Sequence, residues 1–294
     1  MQSEDPEFER RVIIVGVGLI GGSIAAAISR RFPAAEVIGV GRNIERLEAA
    51  KQAGLLTSWT RSEDLNESLL SAPALVVICL PVHLIAAEAK RLAAVSSDAV
   101  VITDAGSIKE SICSAVTLDS PADSAFVGSH PIAGSERGGF EHAEAGLFEG
   151  RVCVVTPGTC EEKTNRVRRF WNAIGCRVLE MSPADHDRVL ALTSHLPHVM
   201  ASATALAVGE ENLSMTGSGF RDTTRIAAGD PDIWRGILAG NRSQVVQALL
   251  RAEEFLAEYR SALEHGNDER VYSLLSDARA IRATLRRPET SVPR

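Results

Sequence analysis

Aromatic side chains are scarce in this sequence: 3 Trp, 2 Tyr and 8 Phe make up 4% of 294 residues. A core short of rings must be filled with Ala, Val, Leu and Ile, the usual filling of a parallel sheet wrapped in helices. Cysteine is sparse as well. Cys79, Cys113, Cys153, Cys160 and Cys176 form no C-x-x-C and no histidine-paired metal spacing, so they are expected to be reduced, mostly buried thiols, with no metal site. Basic excess is missing too: 31 Lys and Arg against 38 Asp and Glu leave a formal charge of −7, so no nucleic acid and no anionic membrane is expected as a partner. No apolar run is expected to reach bilayer length, and Met1 to Arg11 is acidic and polar rather than signal-like, which points to the cytoplasm. With 45% hydrophobic and 23% charged residues, disorder is excluded.

The length exceeds a usual single domain, so two domains are expected. β-branched runs at Arg11–Val15, Val37–Val40, Leu75–Leu80, Ala99–Thr103, Ala125–Val127, Val152–Thr156 and Arg177–Glu180 read as strands. Between them Leu19–Arg31, Ile44–Ala53, Val82–Ala94, Ser107–Val116 and Glu161–Ile174 read as helices. That alternation predicts a doubly wound parallel sheet over residues 1–181. From Ser182 the strand signal stops, and Asp185–Val208, Asp232–Ala239, Ser243–Glu264 and Glu269–Arg286 carry helical spacing. Residues 182–294 are therefore expected to form an all-helical domain suited to dimerisation.

Gly16-Val17-Gly18-Leu19-Ile20-Gly21 stands where a strand ends and a helix begins. In that context G-x-G-x-x-G predicts a dinucleotide site: Gly16 for the turn, Gly18 for close approach of the pyrophosphate, Gly21 for helix packing, and the N–H groups at Leu19 and Ile20 as donors. About 20 residues on, where an NAD site carries Asp or Glu, this chain has Gly41 followed by Arg42 and Asn43. Room and a cation for a 2′-phosphate favour NADP over NAD. Leu80 and Pro81, beyond a strand's carboxyl end, are expected to touch the cofactor through backbone, and His83 to lie at the surface.

Four further segments hold the polar chemistry: Asp104-Ala105-Gly106-Ser107-Ile108-Lys109, Gly128-Ser129-His130-Pro131-Ile132-Ala133-Gly134 with Glu136 beyond, Thr193-Ser194-His195-Leu196-Pro197-His198, and Gly219-Phe220-Arg221-Asp222-Thr223-Thr224-Arg225. Together with the glycine fingerprint they resemble the prephenate/arogenate dehydrogenases, from about Arg11 into the helical C-terminus. The resemblance implies a Rossmann-type doubly wound sheet followed by a helical dimerisation domain. It also implies a homodimer and the oxidative decarboxylation of prephenate and/or arogenate with hydride transfer to NAD(P), in tyrosine biosynthesis. His130 matches the family's catalytic base, a role an imidazole fits near neutral pH. Ser107 matches the serine that orients the same hydroxyl; a helix N-cap is its other reading. Arg225 matches the arginine on a substrate carboxylate, with Asp222 one turn away to hold it or, alternatively, as a plain surface ion pair. His198 matches a substrate contact. His195 reads as more structural, and a metal role for the pair lacks a third ligand. Pro197 should kink the helix. Glu136 matches a pocket-gating glutamate and Trp234 an aromatic of the cleft, against loop exposure and core packing respectively. His142, His186 and His265 carry no motif and receive no role.

A β-hydroxy acid dehydrogenase or imine reductase of the same two-domain build would use a lysine on the helical side, and Ser182–Arg286 contains none. A catalytically silent dinucleotide module gives the His130, His198 and Arg225 segments no reason to coexist. The length leaves no room for a regulatory domain or a fused mutase, so feedback by tyrosine would act at the active site.

Overall fold

The computed structural model describes residues 9–117, 125–134 and 137–285. The elements run β1 (Arg11–Val15), α1 (Leu19–Arg31), β2 (Glu36–Gly41), α2 (Ile44–Gln52), β3 (Ser58–Arg61), α3 (Glu67–Leu70), β4 (Ala74–Ile78), α4 (Val82–Ala93), β5 (Val100–Asp104), α5 (Glu110–Thr117), β6 (Phe126–Pro131), β7 (Val152–Thr156), α6 (Glu161–Ala173) and β8 (Arg177–Glu180). Helices alone follow: α7 (Pro183–Leu190), a π turn at Ala191–His195, α8 (Leu196–Val208), α9 (Ser218–Thr224), α10 (Pro231–Gly240), α11 (Arg242–Glu264) and α12 (Asp268–Ala283). The chain packs as two compact units, Met1–Arg242 and Ser243–Arg294.

All eight strands form one sheet in the order β3-β2-β1-β4-β5-β6-β7-β8. Its inner strands are buried on both faces, and their period of two sorts them into two cores. Val12, Ile14, Val37, Leu75, Val77 and Val101 pack with Ile24 and Ile28 of α1, Leu47 of α2, and Phe170 and Trp171 of α6. Ile13, Val15, Ile38, Val76, Ile78 and Ile102 pack with Leu70 of α3, Ile85 and Leu92 of α4, Ile112 of α5 and Ile237 of α10. Aliphatic residues fill both layers, as the scarcity of rings requires.

Several expectations are corrected. The sheet is not wholly parallel: β7 runs antiparallel to β6, pairing Gly128 with Thr156 and His130 with Val154, and β8 is parallel to β7. The segment between β6 and β7 contributes only a 3-10 turn, Phe140–His142, among the described residues, and parallel neighbours need a full crossover. The short strand β3 escaped the pattern because its Ser-Trp-Thr-Arg sits half-exposed at the sheet edge. The five thiols are free, but only Cys153 and Cys176 are buried. Pro183–Val208 forms 26 continuous helical residues that are long and apolar enough, by length and composition, to cross a bilayer. That run is inconspicuous in sequence because Thr, Ser and His break it up; Ala191–Val208 nonetheless contains no Asp, Glu, Lys or Arg.

In the second unit Gly266, at φ +62°, turns the chain between α11 and α12. Asn267 then caps α12, accepting from the Arg270 amide at 3.0 Å, and Arg270 pairs with Glu258. Many large apolar side chains here stay exposed, among them Leu250, Phe255, Leu263, Tyr272 and Leu275.

Ile14 is fully buried in the central strand. Ile14→Ala should lower the unfolding free energy by about 2–5 kcal/mol in urea titrations, through lost transfer energy and the cavity left behind; a loss below about 1 kcal/mol would contradict the packing described.

Candidate active site

The glycine turn after β1 forms a cradle. Gly16 has φ +98°, and a Cβ there would lie 2.6 Å from the Cys79 carbonyl oxygen, so β4's end leans directly on the turn. A Cβ at Gly21 would lie 2.2 Å from the Gly16 carbonyl, whereas Gly18 faces open space with nothing within 4 Å. Helix α1 begins after Gly18 with no side-chain cap and no acid in its first turn. α2, α7 and α10 are instead capped by Asn43, Ser182 and Asp230. The free amides at Leu19 and Ile20 thus meet an unobstructed approach over Gly18, the arrangement a pyrophosphate requires. Leu80 also borders this turn: a Cβ added at Gly16 would lie 3.1 Å from its Cδ2. Pro81 instead lines a groove of about 850 Å³ with His83, Ile108, Ile233 and Gly236, and that groove includes none of His130, His195 and His198. Arg42 is exposed just past the end of β2, and the Gly41 Cβ direction offers ordinary contact distances to Leu47.

His130 is part of β6, not of a loop after it, and is 8% exposed. Period two turns Ser129 toward α6 and His130 toward α5. Behind them lies a buried polar lattice. Asp104 accepts from the Ser129 amide at 3.0 Å through one carboxylate oxygen, and from the Gly106 amide at 2.9 Å through the other. Lys109 Nζ pairs with the same carboxylate, both side chains being fully buried. Trp171 Nε1 donates to Ser129 Oγ at 2.9 Å. One carboxylate therefore fixes the residues immediately preceding both Ser107 and His130. Ser107 is half-buried, but it is not a helix N-cap: α5 begins only at Glu110.

The cap of α5 comes from α7. Asp187 accepts from the Lys109 amide at 2.7 Å and the Glu110 amide at 2.9 Å. The same carboxylate accepts from His186 Nδ1 at 2.7 Å, and His186 Nε2 meets His130 Nδ1 at 2.8 Å. A carboxylate only accepts, so His186 Nδ1 carries a proton; with His186 neutral, its Nε2 keeps the lone pair. His130 then donates from Nδ1, which leaves its Nε2 lone pair as a base. Burial, then His186, Lys109 and His195, push the His130 pKa well below its ordinary value. The ring is thus neutral at physiological pH.

The helical side brings a second pair. The kink expected at Pro197 takes the form of the π turn Ala191–His195, in which the Leu196 amide reaches back to the Ala191 carbonyl. This turn re-phases the helix, a frequent device at functional sites. His195 is 1% exposed, and burial pushes its pKa down to about 4. His198 stacks face to face on Trp234, centroids 3.5 Å apart at 11°. Trp234 is thereby a partner of the histidine and not merely core filling. His198 is 6% exposed, and its Nδ1 is buried without a hydrogen-bond partner, which suits a ligand contact. Arg225 opens the 3-10 turn Arg225–Ala228, which packs on α8; Arg225 and Asp222 are both exposed. Glu136 lies outside the described residues.

The sequence reading missed His186 and Asp187, whose partners His130, Lys109 and Glu110 lie 56 to 78 positions away, and the buried Asp104–Lys109 pair. A His-Asp pair in the first turn of the helix that later carries His195 and His198 was the available signal.

The match to known proteins follows this geometry. A model described as the prephenate dehydrogenase nucleotide-binding domain matches residues 24–180, and one for the prephenate dehydrogenase dimerization domain matches residues 182–277. The chain is 31% identical to a prephenate dehydrogenase of Bacillus subtilis, covering 92% of this chain and 75% of that protein. It is 30% identical to a cyclohexadienyl dehydrogenase of Zymomonas mobilis, covering 94% and 96%. A crystal structure of prephenate dehydrogenase from A. aeolicus, in complex with hydroxyphenyl propionate and NAD+, superposes with a TM-score of 0.86 at 32% identity, covering 93% of this chain and 97% of that one.

His130, His195 and His198 all have pKa values lowered by burial. The unfolded chain, with histidines near the ordinary value of about 6.5, binds more protons below that pH, so stability must fall as pH drops through it and level off above. Melting temperatures between about pH 7.5 and 4.5 should decline on the acid side; a flat profile would mean that these rings are not held neutral.

Proposed function

We infer the reaction from one premise, that the chain belongs to the prephenate dehydrogenase family. It is an NAD(P)-dependent oxidoreductase of tyrosine biosynthesis that oxidatively decarboxylates prephenate and/or arogenate. The observation that carries this reading is the hydrogen-bonded line Asp187–His186–His130, which leaves one imidazole lone pair free, with Asp104 holding the residues that precede both His130 and Ser107.

A bound nicotinamide nucleotide supplies the hydride acceptor. The chain supplies the rest. Gly16, Gly18 and Gly21, with the amides of Leu19 and Ile20, hold the pyrophosphate, and Leu80 and Pro81 border the cofactor. His130 Nε2 takes the proton of the ring hydroxyl as hydride leaves the same carbon and the ring carboxylate departs as CO₂. Aromatisation drives the step. Ser107 orients the hydroxyl, Arg225 binds a substrate carboxylate with Asp222 steadying it, and His198, His195 and Trp234 complete the pocket. His186 and Asp187 hold His130 in the productive tautomer and stabilise the imidazolium that forms, the task of the aspartate in a serine-hydrolase triad.

Residues 1–181 act as the nucleotide-binding domain and 182–294 as the substrate-binding and dimerisation domain. A homodimer is supported by the dimerization-domain match and by the exposed apolar side chains of α11 and α12. Tyrosine, which shares the product's ring, acts as an inhibitor at the active site, and the enzyme works in the cytoplasm. NADP is preferred over NAD because Gly41 provides no acid for a ribose 2′-hydroxyl and Arg42 offers a cation for a 2′-phosphate.

The decisive assay is cofactor reduction with prephenate and with arogenate. His130→Asn should lower turnover by about 10²–10⁴-fold with little change in nucleotide affinity; unchanged turnover would remove His130 from the mechanism. Arg42→Ala should raise the KM for NADP about tenfold or more, while leaving that for NAD within about twofold. Equal effects on both nucleotides would refute the 2′-phosphate assignment.

A further inference from the structure

Asn241 closes α10 as its C-cap and is 4% exposed. Its Nδ2 lies 2.7 Å from the main-chain oxygen of Asp187 and 3.2 Å from His195 Nδ1. A carbonyl oxygen can only accept a hydrogen bond. The amide nitrogen, not the amide oxygen, must therefore face Asp187, and the orientation of the carboxamide is settled by chemistry. The second hydrogen of the same NH₂ group is directed at His195 Nδ1, which must then be the nitrogen with the lone pair. A neutral imidazole has one proton, so here it sits on Nε2. Burial keeps this ring neutral, as its depressed pKa shows.

We propose that Asn241 is a positioning residue that locks His195 in the Nε2–H tautomer, making it a fixed donor to an acceptor oxygen in the cleft. The inference rests on the reading of His195 as a site residue given above. The ring's surroundings are consistent with that role. Trp234 presents an edge to it at 6.2 Å and 86°, and stacks its face on His198. The acceptor is an oxygen of the substrate or the carboxamide oxygen of the nicotinamide, since both offer the same lone-pair chemistry. The device also joins the two halves of the site. Asp187 aligns His130 through its side chain and, through its main-chain oxygen, holds the amide that aligns His195. Both tautomers are set from a single residue of α7, in opposite senses: His130 keeps a free lone pair, His195 a free N–H.

The test uses the full-length protein labelled with ¹⁵N-histidine and long-range ¹H–¹⁵N correlation, with His195→Gln to assign the signals. In the wild type, His195 should have an unprotonated Nδ1 and a protonated Nε2. Asn241→Asp puts an acceptor oxygen in the place of the donor and should move the proton to Nδ1. With that shift the apparent affinity should fall about tenfold, while kcat stays within about threefold. A rise in the KM for prephenate identifies the substrate as the acceptor, and a rise in the Kd for the oxidised nucleotide identifies the carboxamide. A protonated Nδ1 in the wild type, or a folded Asn241→Asp protein with both constants unchanged, overturns the proposal. The spectra need no substrate, so a wild type that fails to oxidise prephenate or arogenate would sink the proposed reaction and leave the tautomer question to be decided separately.

Discussion

The site depends on one buried carboxylate. Asp187, 1% exposed, takes the first amides of α5 on one side and the proton of His186 on the other. A buried carboxylate left unpaired would be costly, and donors to an ionised group are worth more than neutral ones, so these contacts act as a rivet between α5 and α7. Because α5 follows the turn carrying Ser107, and His186 abuts His130, the rivet couples the placement of that turn to that of the His130 ring. Asp104 performs the matching task from beneath, tying Gly106 and Ser129 to one carboxylate and Lys109 to both.

The two kinds of functional element differ in how they are built. The nucleotide cradle is almost entirely backbone: a positive φ at Gly16, an open face at Gly18 and an uncapped helix end. The proton-handling centre is made of side chains held by other side chains inside the protein. Burial lowers the pKa values of His130, His195 and His198, which favours their neutral imidazole forms.

That difference explains what could be read from the sequence. The cradle has a local signature, so Gly16, Gly18, Gly21 and the flanking strand and helix are all legible. His130, His195 and His198 were singled out by their motifs, and Trp234 by the family resemblance alone. His186 and Asp187 were not, because a His-Asp pair near a helix start is a weak signal shared by ordinary helix-surface polar groups; their partners are His130, Lys109 and Glu110, some 56 to 78 positions away. The start of α5 was misjudged for the same reason. Ser107 is a fitting local cap, but a carboxylate from another helix outcompetes it, and the first turn shifts to Glu110. The reversal of β7 was hidden because strand periodicity is blind to direction, and only the lack of a crossover helix between β6 and β7 pointed to it.

The borrowed cap on α5 also bears on folding. The sheet can gather its aliphatic layers from short-range βα units, but the first turn of α5 stays incomplete until α7, far along the chain, arrives to close it. The setting of His186 against His130 thus hangs on a contact between helices 77 and 78 positions apart in the chain, complete only when α7 has docked.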